Sequence, residues 1–303
     1  MEQKKLLLII NPNSGKQKAS KLSSKIVKQF EDAGFWVDLK LTTKKGDAVE
    51  FAKGAEEGSL VVCVGGDGTL HETLNGAMKG AKGVTLGYIP MGSVNDYARS
   101  VKIPKNYKKA IDCIINGTDQ YVDVCKFNDE YFTYIAAAGL FTKCSYSTSQ
   151  KLKNKIGKLA YVLFGIKELF EYRKMRLRFN VDGEEFDDDF LIVAVTNTHS
   201  VGGVVKFNNG FVKLNDGYME LLMLKNPKHF FQLVKAVRIF RKKNWNSDIM
   251  QYIHAKEVRI YDRNKVMWSL DGEEFVGEFR EDNISTISIV PKAIKIRVKE
   301  IID

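Results

Sequence analysis

SLVVCVGGDGTLHETLN, residues Ser59 to Asn75, is the stretch from which the rest of the chain is read. Leu60 to Val64 is a run of apolar and β-branched residues that ends in Gly65, Gly66, Asp67, Gly68 and Thr69, after which Leu70, Leu74 and Met78 recur at helical spacing. The pattern predicts a buried strand turning abruptly into a helix. Glycines at such a turn let the backbone approach a bulky anion, and a carboxylate at the strand's carboxyl end suits a magnesium ion or a polyphosphate. Asp67 fits a plain helix cap equally well, and these few residues do not separate the two readings.

Upstream and downstream the pattern repeats. Lys4 to Ile10 reads as a buried strand leading through NPNSGK (Asn11 to Lys16) into a helix with Ala19, Leu22, Ile26 and Phe30 on one face, stopped at Gly34. Phe35, Val37, Leu39 and Leu41 alternate as a strand, and Gly46-Asp47 opens a helix with Phe51, Ala52 and Ala55 inward. Val84 to Ile89 is a further strand ending in PMGSVNDYARS (Pro90 to Ser100), and Tyr107 to Ile115 a helix closed by Gly117. Alternating strands and helices predict a parallel sheet covered by helices, with ligands at the strands' carboxyl ends. NPNSG, GGDGT and PMGSVND would then converge there and offer small residues and backbone donors to a nucleotide. Neither GxGxxG nor a Walker GxxxxGK[ST] occurs, which disfavours a standard dinucleotide or P-loop site.

After about Lys126 the texture changes. Tyr131–Ala138, Leu177–Val181, Phe190–Thr196, Tyr218–Leu224, Lys256–Tyr261, Val266–Leu270 and Ile284–Val290 are short strand candidates, with Asn128-Asp129, Asp182-Gly183 and Asp271-Gly272 as hairpin turns. Two helices, Leu152–Tyr172 and His229–Lys242, interrupt them. The expected domains are residues 1–127, α/β and nucleotide-binding, and 128–303, β-rich, with the C-terminal residues free to return to the first.

Composition bounds the rest. The 303 residues are 44% hydrophobic and 28% charged, as in an ordinary globular chain with room for two cores. The sequence has no apolar run of membrane-spanning length and no signal-peptide pattern, so a cytoplasmic location is expected. Cys63, Cys113, Cys125 and Cys144 stand singly in apolar surroundings, as reduced packing residues do, and the four histidines are scattered. A net charge of +10 asks for an anionic partner, which charge alone leaves open among nucleic acid, nucleotide and membrane.

With these residues assembled, the chain resembles the bacterial diacylglycerol kinase family of soluble lipid kinases, related more distantly to sphingosine kinases and NAD kinases. NPNSGK is similar to that family's NPxSG loop, GGDGTLHE to its GGDGTxxE signature, and PMGSVNDYAR to its GTxNDxAR segment. KLNDGYMELLML (Lys213 to Leu224) and SLDGEEF (Ser269 to Phe275) resemble its DG strand and catalytic DGE. Ser93, Val94 and His71 depart from the usual residues, which touches substrate identity more than activity. The resemblance implies an NAD-kinase-like three-layer α/β domain and a β-sandwich-like domain, with the active site in the cleft between them. It implies transfer of the ATP γ-phosphoryl group to the primary hydroxyl of diacylglycerol, giving phosphatidic acid. Chemically this suits the residues, because phosphoryl transfer is mainly positioning and charge stabilisation.

By the same resemblance Asn11, Pro12, Asn13, Ser14, Gly15, Thr42, Gly66, Asp67, Gly68, Thr69, Leu70, His71, Glu72 and Ser93 would hold ATP. Asp67 would orient the catalytic Mg2+ through water, and Asp96 would support that site. The Asp216 carboxylate and the backbone carbonyls of Lys213 and Tyr218 would hold a structural Mg2+. Thr42 also reads as a strand end satisfying its own backbone, and Asn215-Asp216-Gly217 as an ordinary turn. Lys151, Lys153, Lys155, Lys158 and Lys167, on an amphipathic helix, fit docking at an anionic membrane, with Arg238, Arg241, Lys242 and Lys243 contributing; a solvated helix face is the plainer alternative. The expected setting is thus the inner face of the membrane, peripherally, with no nucleic acid and a homodimer left open. The competing functions are a kinase for another lipid alcohol (sphingoid base, ceramide or phosphatidylglycerol), an NAD-kinase-like enzyme, and a non-catalytic lipid-binding regulator.

The pentapeptide DGEEF occurs twice, at Asp182–Phe186 and Asp271–Phe275. The first lies between the polar run Arg176–Asn180 and the acidic cluster Asp187-Asp188-Asp189, as a solvated hairpin tip would. The second follows the apolar Val266-Met267-Trp268-Ser269-Leu270 and matches the position of the family's catalytic DGE. Asp271 is therefore expected to accept the lipid hydroxyl's proton with Glu273 assisting, although which of the two takes it stays open.

Overall fold

The structure is a computed structural model that describes residues 4–139, 175–201, 205–206, 212–228, 230–242, 246–261, 266–275 and 284–299. The expected helix at 152–172, with its lysines, lies outside the described residues, as does Cys144. The chain divides into two compact units, Met1–Tyr134 with Asn197–Tyr218 and Ile289–Asp303, and Ile135–Thr196 with Met219–Ser288.

The first unit alternates strands and helices in the order β1 (Lys4–Ile10), α1 (Ser14–Asp32), β2 (Phe35–Leu41), α2 (Asp47–Lys53), β3 (Leu60–Gly65), α3 (Asp67–Lys79), β4 (Thr85–Pro90), α4 (Asp96–Ser100) and α5 (Tyr107–Asn116). β2, β1, β3 and β4 pair in that order, all parallel. Every residue of β3 and β4 is buried, which is why these strands read as continuous apolar runs. α1 packs with α5 and α2 with α3, so helices are grouped in two layers against the sheet. Close helix packing is sequence-encoded at Gly76, where an added Cβ would lie 2.2 Å from the Val49 carbonyl oxygen of α2.

β5 (Thr118–Phe127) and β6 (Glu130–Phe132) form a hairpin on which Asn128 takes a positive φ. Asn75, fully buried on α3, holds that hairpin: its Nδ2 donates to the Tyr131 carbonyl at 2.7 Å and its Oδ1 accepts from the Tyr131 amide at 2.9 Å. Sequence alternation predicts one strand over Tyr131–Ala138. Instead it breaks at Thr133–Tyr134, with Tyr131 bound to Asn75 in the first unit and Ile135 starting β7 (Ile135–Gly139) in the second.

The remaining elements are β8 (Met175–Val181), β9 (Glu184–Thr196), β10 (Ser200–Val201), β11 (Val205–Lys206), β12 (Met219–Lys225), α6 (Phe230–Lys242), β13 (Met250–Ala255), β14 (Glu257–Tyr261), β15 (Trp268–Leu270), β16 (Glu273–Phe275) and β17 (Ile284–Val298). In the second unit β16, β15, β7, β9, β8 and β14 neighbour one another in antiparallel order, and β12 pairs with both β9 and β13. Alternate residues of β8 (Met175, Leu177, Phe179 and Val181) are buried, the half-solvated pattern of an antiparallel strand. β17 is longer than the apolar run Ile284–Val290 predicts. Its first residues pair with β14, whereas Lys295 and Ile296 pair with β4 in the first unit.

Candidate active site

Parallel β1, β3 and β4 end side by side, and their carboxyl-terminal loops touch. Asn11, just after β1, donates its amide to the Val64 carbonyl at 3.0 Å and its Nδ2 to Thr69 Oγ1 at 3.1 Å. Met91, after β4, donates to the Gly65 carbonyl at 2.7 Å. Glycine is required where the loops meet: an added Cβ on Gly92 would lie 2.7 Å from Gly66 Cα, and one on Gly15 2.7 Å from the Met91 carbonyl oxygen. Gly15 also has φ +63, and the left-handed turn continues through Lys16 and Gln17 before α1 becomes regular.

Asp67 opens α3 and is half-buried, and its Oδ2 accepts the Asn95 amide at 2.9 Å. Asn95, which the sequence reading passed over, is the hub of the third loop. Held at φ 55, it accepts from the Gly92 amide at 2.9 Å and from Tyr88 Oη at 3.2 Å, while its Nδ2 donates to the Gly92 carbonyl at 2.7 Å. Burial, with the charge of Asp67 adding, holds the Tyr88 phenol well above its ordinary 10.0, so it stays a neutral donor. The signal was present in sequence as an Asn beside Asp96 in a loop after a buried strand. No side chain caps α3, whose N-terminal amides and helix dipole favour an anion. Cys63, beneath this turn, is pushed by burial to about 12, consistent with a packing thiol.

The other expected nucleotide residues divide. Pro12 and Ser14 are half-buried and Asn13 is exposed in the first loop, Gly68 lies in the first turn of α3, and Ser93 is exposed in the third loop. Thr42 is buried and its amide extends the ladder to the Ile10 carbonyl at 3.0 Å. Leu70 is a core residue, 1% exposed. His71 Nε2 lies 3.6 Å from Glu130, and Glu72 Oε1 accepts the Gly46 amide at 3.0 Å, so these two side chains tie α3 to its neighbours. Burial opposes ionisation of Glu130, but hydrogen bonds from His71 and Lys79 outweigh it and lower its pKa.

Asp96 is fully buried and accepts from Arg99 Nη1 at 3.2 Å. Nearby in sequence, Ser100 Oγ meets Thr198 Oγ1 in a short hydrogen bond. In the segment expected to hold a structural ion, Asp216 Oδ1 accepts the Tyr218 amide at 3.0 Å, and Gly217 has φ +78. Asp123, also missed from sequence, lies beneath it: 5% exposed, it accepts from the Gly217 amide at 2.6 Å and the Lys292 amide at 2.7 Å. A lone carboxylate between Val122 and Val124 in an apolar strand was the available clue. A carboxylate with backbone carbonyls is a hard oxygen donor set of the kind that suits Mg2+.

In the second unit β15 and β16 form a two-residue hairpin whose corner residues, Asp271 (φ 51) and Gly272 (φ 85), both lie in the left-handed region. Asp271 is 5% exposed. Its amide donates to the Ile135 carbonyl at 2.8 Å, and its Oδ1 accepts the Ile135 amide at 3.1 Å. Both bonds lock the carboxylate in place. Glu273, the first residue of β16, is exposed.

The family model described as the diacylglycerol kinase catalytic domain matches residues 5–127, and that described as the YegS C-terminal NAD kinase beta sandwich-like domain matches 136–298. A diacylglycerol kinase of Bacillus subtilis (strain 168) is 34% identical over 299 residues, covering 95% of this chain and 97% of that protein. One from Staphylococcus carnosus (strain TM300) is 33% identical over 278 residues, 89% of each chain. The crystal structure of a diacylglycerol kinase from Bacillus anthracis str. Sterne shares the fold, with TM-score 0.73 at 21% identity over 100% of both chains.

Proposed function

This chain belongs to the diacylglycerol kinase family, and from that premise we propose that it uses ATP and Mg2+ to phosphorylate the primary hydroxyl of diacylglycerol, giving phosphatidic acid. One observation carries the reading: three loops gather at the ends of β1, β3 and β4, with glycine against glycine where a phosphate chain needs backbone contact.

In this reading the loops bind and orient the triphosphate through backbone amides and the α3 N-terminus, and Asn95 keeps Asp67 aimed at it. Asp67 would hold the catalytic Mg2+ through water, and Asp216 with the Lys213 and Tyr218 carbonyls a structural one. Magnesium, when bound, neutralises charge on the transferring phosphoryl group. Asp271 takes the proton from the lipid hydroxyl as its oxygen attacks the γ-phosphorus and the bond from that phosphorus to the β,γ-bridging oxygen breaks, so that ADP leaves; Glu273 assists from the same hairpin. A single base for the hydroxyl suffices because the chemistry is mostly positioning. Among the described residues no helix is long and apolar enough to cross a membrane, and a lipid acceptor would bring the enzyme to a bilayer peripherally.

The test incubates the protein with γ-labelled ATP, Mg2+ and, in separate mixed micelles, diacylglycerol, sphingosine, ceramide and phosphatidylglycerol, with a further tube of NAD. Label in phosphatidic acid is expected. Label in NAD, or in none of the lipids, would overturn the reading.

A further inference from the structure

The loop after β2, Thr42 to Gly46, is fastened at both ends to the elements that carry the phosphate loops. At its start the buried Thr42 donates its amide at 3.0 Å to the carbonyl of Ile10, the residue of β1 that precedes Asn11. At its end Gly46, at φ +91, donates its amide to Glu72 Oε1 of α3 at 3.0 Å. Asp47, the first residue of α2, turns its carboxylate back along the chain: Oδ2 accepts the Thr43 amide at 2.7 Å, the Thr43 hydroxyl at 2.8 Å and the Lys44 amide at 3.0 Å. These bonds, the Thr43 amide first among them, hold the Asp47 carboxyl below its ordinary 3.8, so it stays an ionised acceptor at neutral pH. α2 in turn is pressed on α3 at Gly80 as well as at Gly76, an added Cβ on Gly80 meeting the Lys53 carbonyl oxygen at 2.5 Å. The loop is therefore set by α3, the helix that Asp67 opens.

Sheet order says which part of a nucleotide this loop meets. The reacting end lies between β3 and β4, where the Asn95 amide reaches Asp67, and β1 and then β2 follow outward. Neighbouring strands are about 4.8 Å apart, so the loop after β2 stands roughly 10 Å from the GGDGT turn. A triphosphate anchored at Asp67 and running across NPNSG brings its sugar and base there. We propose that Asp47 and Glu72 are positioning residues that hold the Thr42–Gly46 loop as the wall receiving the nucleoside end of ATP. The inference rests on the ATP-dependent kinase reading and adds a fourth loop to it. Glu72 then acts through Gly46 rather than on the nucleotide itself. A loop fixed before the ligand arrives need not be ordered on binding, and so binds more tightly.

Calorimetric titration with ATP and, separately, with inorganic tripolyphosphate, both with Mg2+ and without lipid, tests it. Asp47→Ala should bind ATP about tenfold more weakly and tripolyphosphate within about twofold of wild type, because only the nucleoside end loses its wall. Asp47→Asn, which keeps an acceptor oxygen, should restore most of the affinity. At the other end of the loop Glu72→Ala should weaken ATP in the same selective way and Glu72→Gln should bind as wild type, a pair that reads the clamp even where Asp47→Ala melts too low to titrate. In turnover Asp47→Ala should raise KM for ATP about tenfold and leave kcat and the diacylglycerol KM within about twofold. Wild-type ATP affinity in either alanine variant, equal losses for ATP and tripolyphosphate, or a Glu72→Gln protein as weak as Glu72→Ala would each overturn the proposal. Binding is read without turnover, so a failure of the kinase reading is seen separately, as wild type that binds ATP and transfers no label to diacylglycerol.

Discussion

The two DGEEF hairpins make the same turn and differ in what surrounds it. Asp182 and Asp271 have φ 49 and 51, and the glycines after them 100 and 85. Each aspartate clips its hairpin to the next strand through its own amide and its Oδ1: Asp182 to Glu257 at 3.2 and 2.8 Å, Asp271 to Ile135 at 2.8 and 3.1 Å. From there they part. Asp182 is exposed, its Oδ2 also takes the Lys256 amide at 2.9 Å, and Arg176, Arg178 and Lys225 pair with the acidic residues that follow it. Asp271 is buried at the end of a strand whose three residues, Trp268, Ser269 and Leu270, are all buried. Identical pentapeptides thus give identical turns, while the preceding strand decides whether the carboxylate is a solvated staple or a fixed group in a desolvated setting.

Removing the staples should expose that difference. Asp271→Ala leaves the Ile135 amide without its carboxylate acceptor and places alanine at positive φ, so unfolding by urea should show a loss of about 2 kcal/mol. Activity comes next. Glu273→Gln is expected to lower turnover about tenfold or more in the labelled-ATP assay, and Glu184→Gln, at the matching position of the first hairpin, to leave it unchanged. An equal loss in both would erase the distinction between the hairpins. Asp182→Ala should lower the melting temperature by less than Asp271→Ala does, since water replaces the carboxylate at the exposed amides of Lys256 and Glu257.

The smallest effect belongs to the charged flank of the first hairpin. Hydrogen bonds from Asn180 and Arg178 hold the Glu185 carboxyl below its ordinary 4.5. A carboxylate with a lowered folded-state pKa stabilises the protein above that ordinary value, and the contribution is lost as pH falls through the lowered one. Glu185→Gln should therefore melt slightly below wild type at neutral pH, the difference closing in acid below 4.5. A difference that grew as pH fell would contradict the assignment.

The first unit was legible because its central strands β3 and β4 are buried on both faces and its edge strand β2 alternates. Lys4–Ile10 and Phe35–Leu41 carry the bounds read from sequence, and the three loops at the strand ends follow from strand order. What was not legible depended on partners distant in sequence. Asn75 looks like any polar residue on a helix until Tyr131 is placed against it, and Asp123 shows its use only when Gly217 and Lys292 arrive. The break at Thr133–Tyr134 and the extension of β17 past Pro291 are hidden for the same reason, since local alternation does not say which unit a strand will join. β13 escaped the reading because Met250–Ala255 has only its two ends buried. At the site, GGDGT announced the loop but not that Leu70, His71 and Glu72 would turn their side chains to the core, Glu130 and Gly46.

The buried aspartate of the second hairpin is the proposed base for the lipid hydroxyl. That role is tested most directly by steady-state transfer of label from ATP to diacylglycerol with Asp271→Asn and Asp182→Asn assayed side by side. Asparagine keeps an oxygen for the neighbouring amide and tolerates positive φ, so both variants should fold. Asp271→Asn is expected to lose about a thousandfold in turnover while Asp182→Asn stays at the wild-type rate. A folded Asp271→Asn enzyme working at the wild-type rate would show that another group takes the proton.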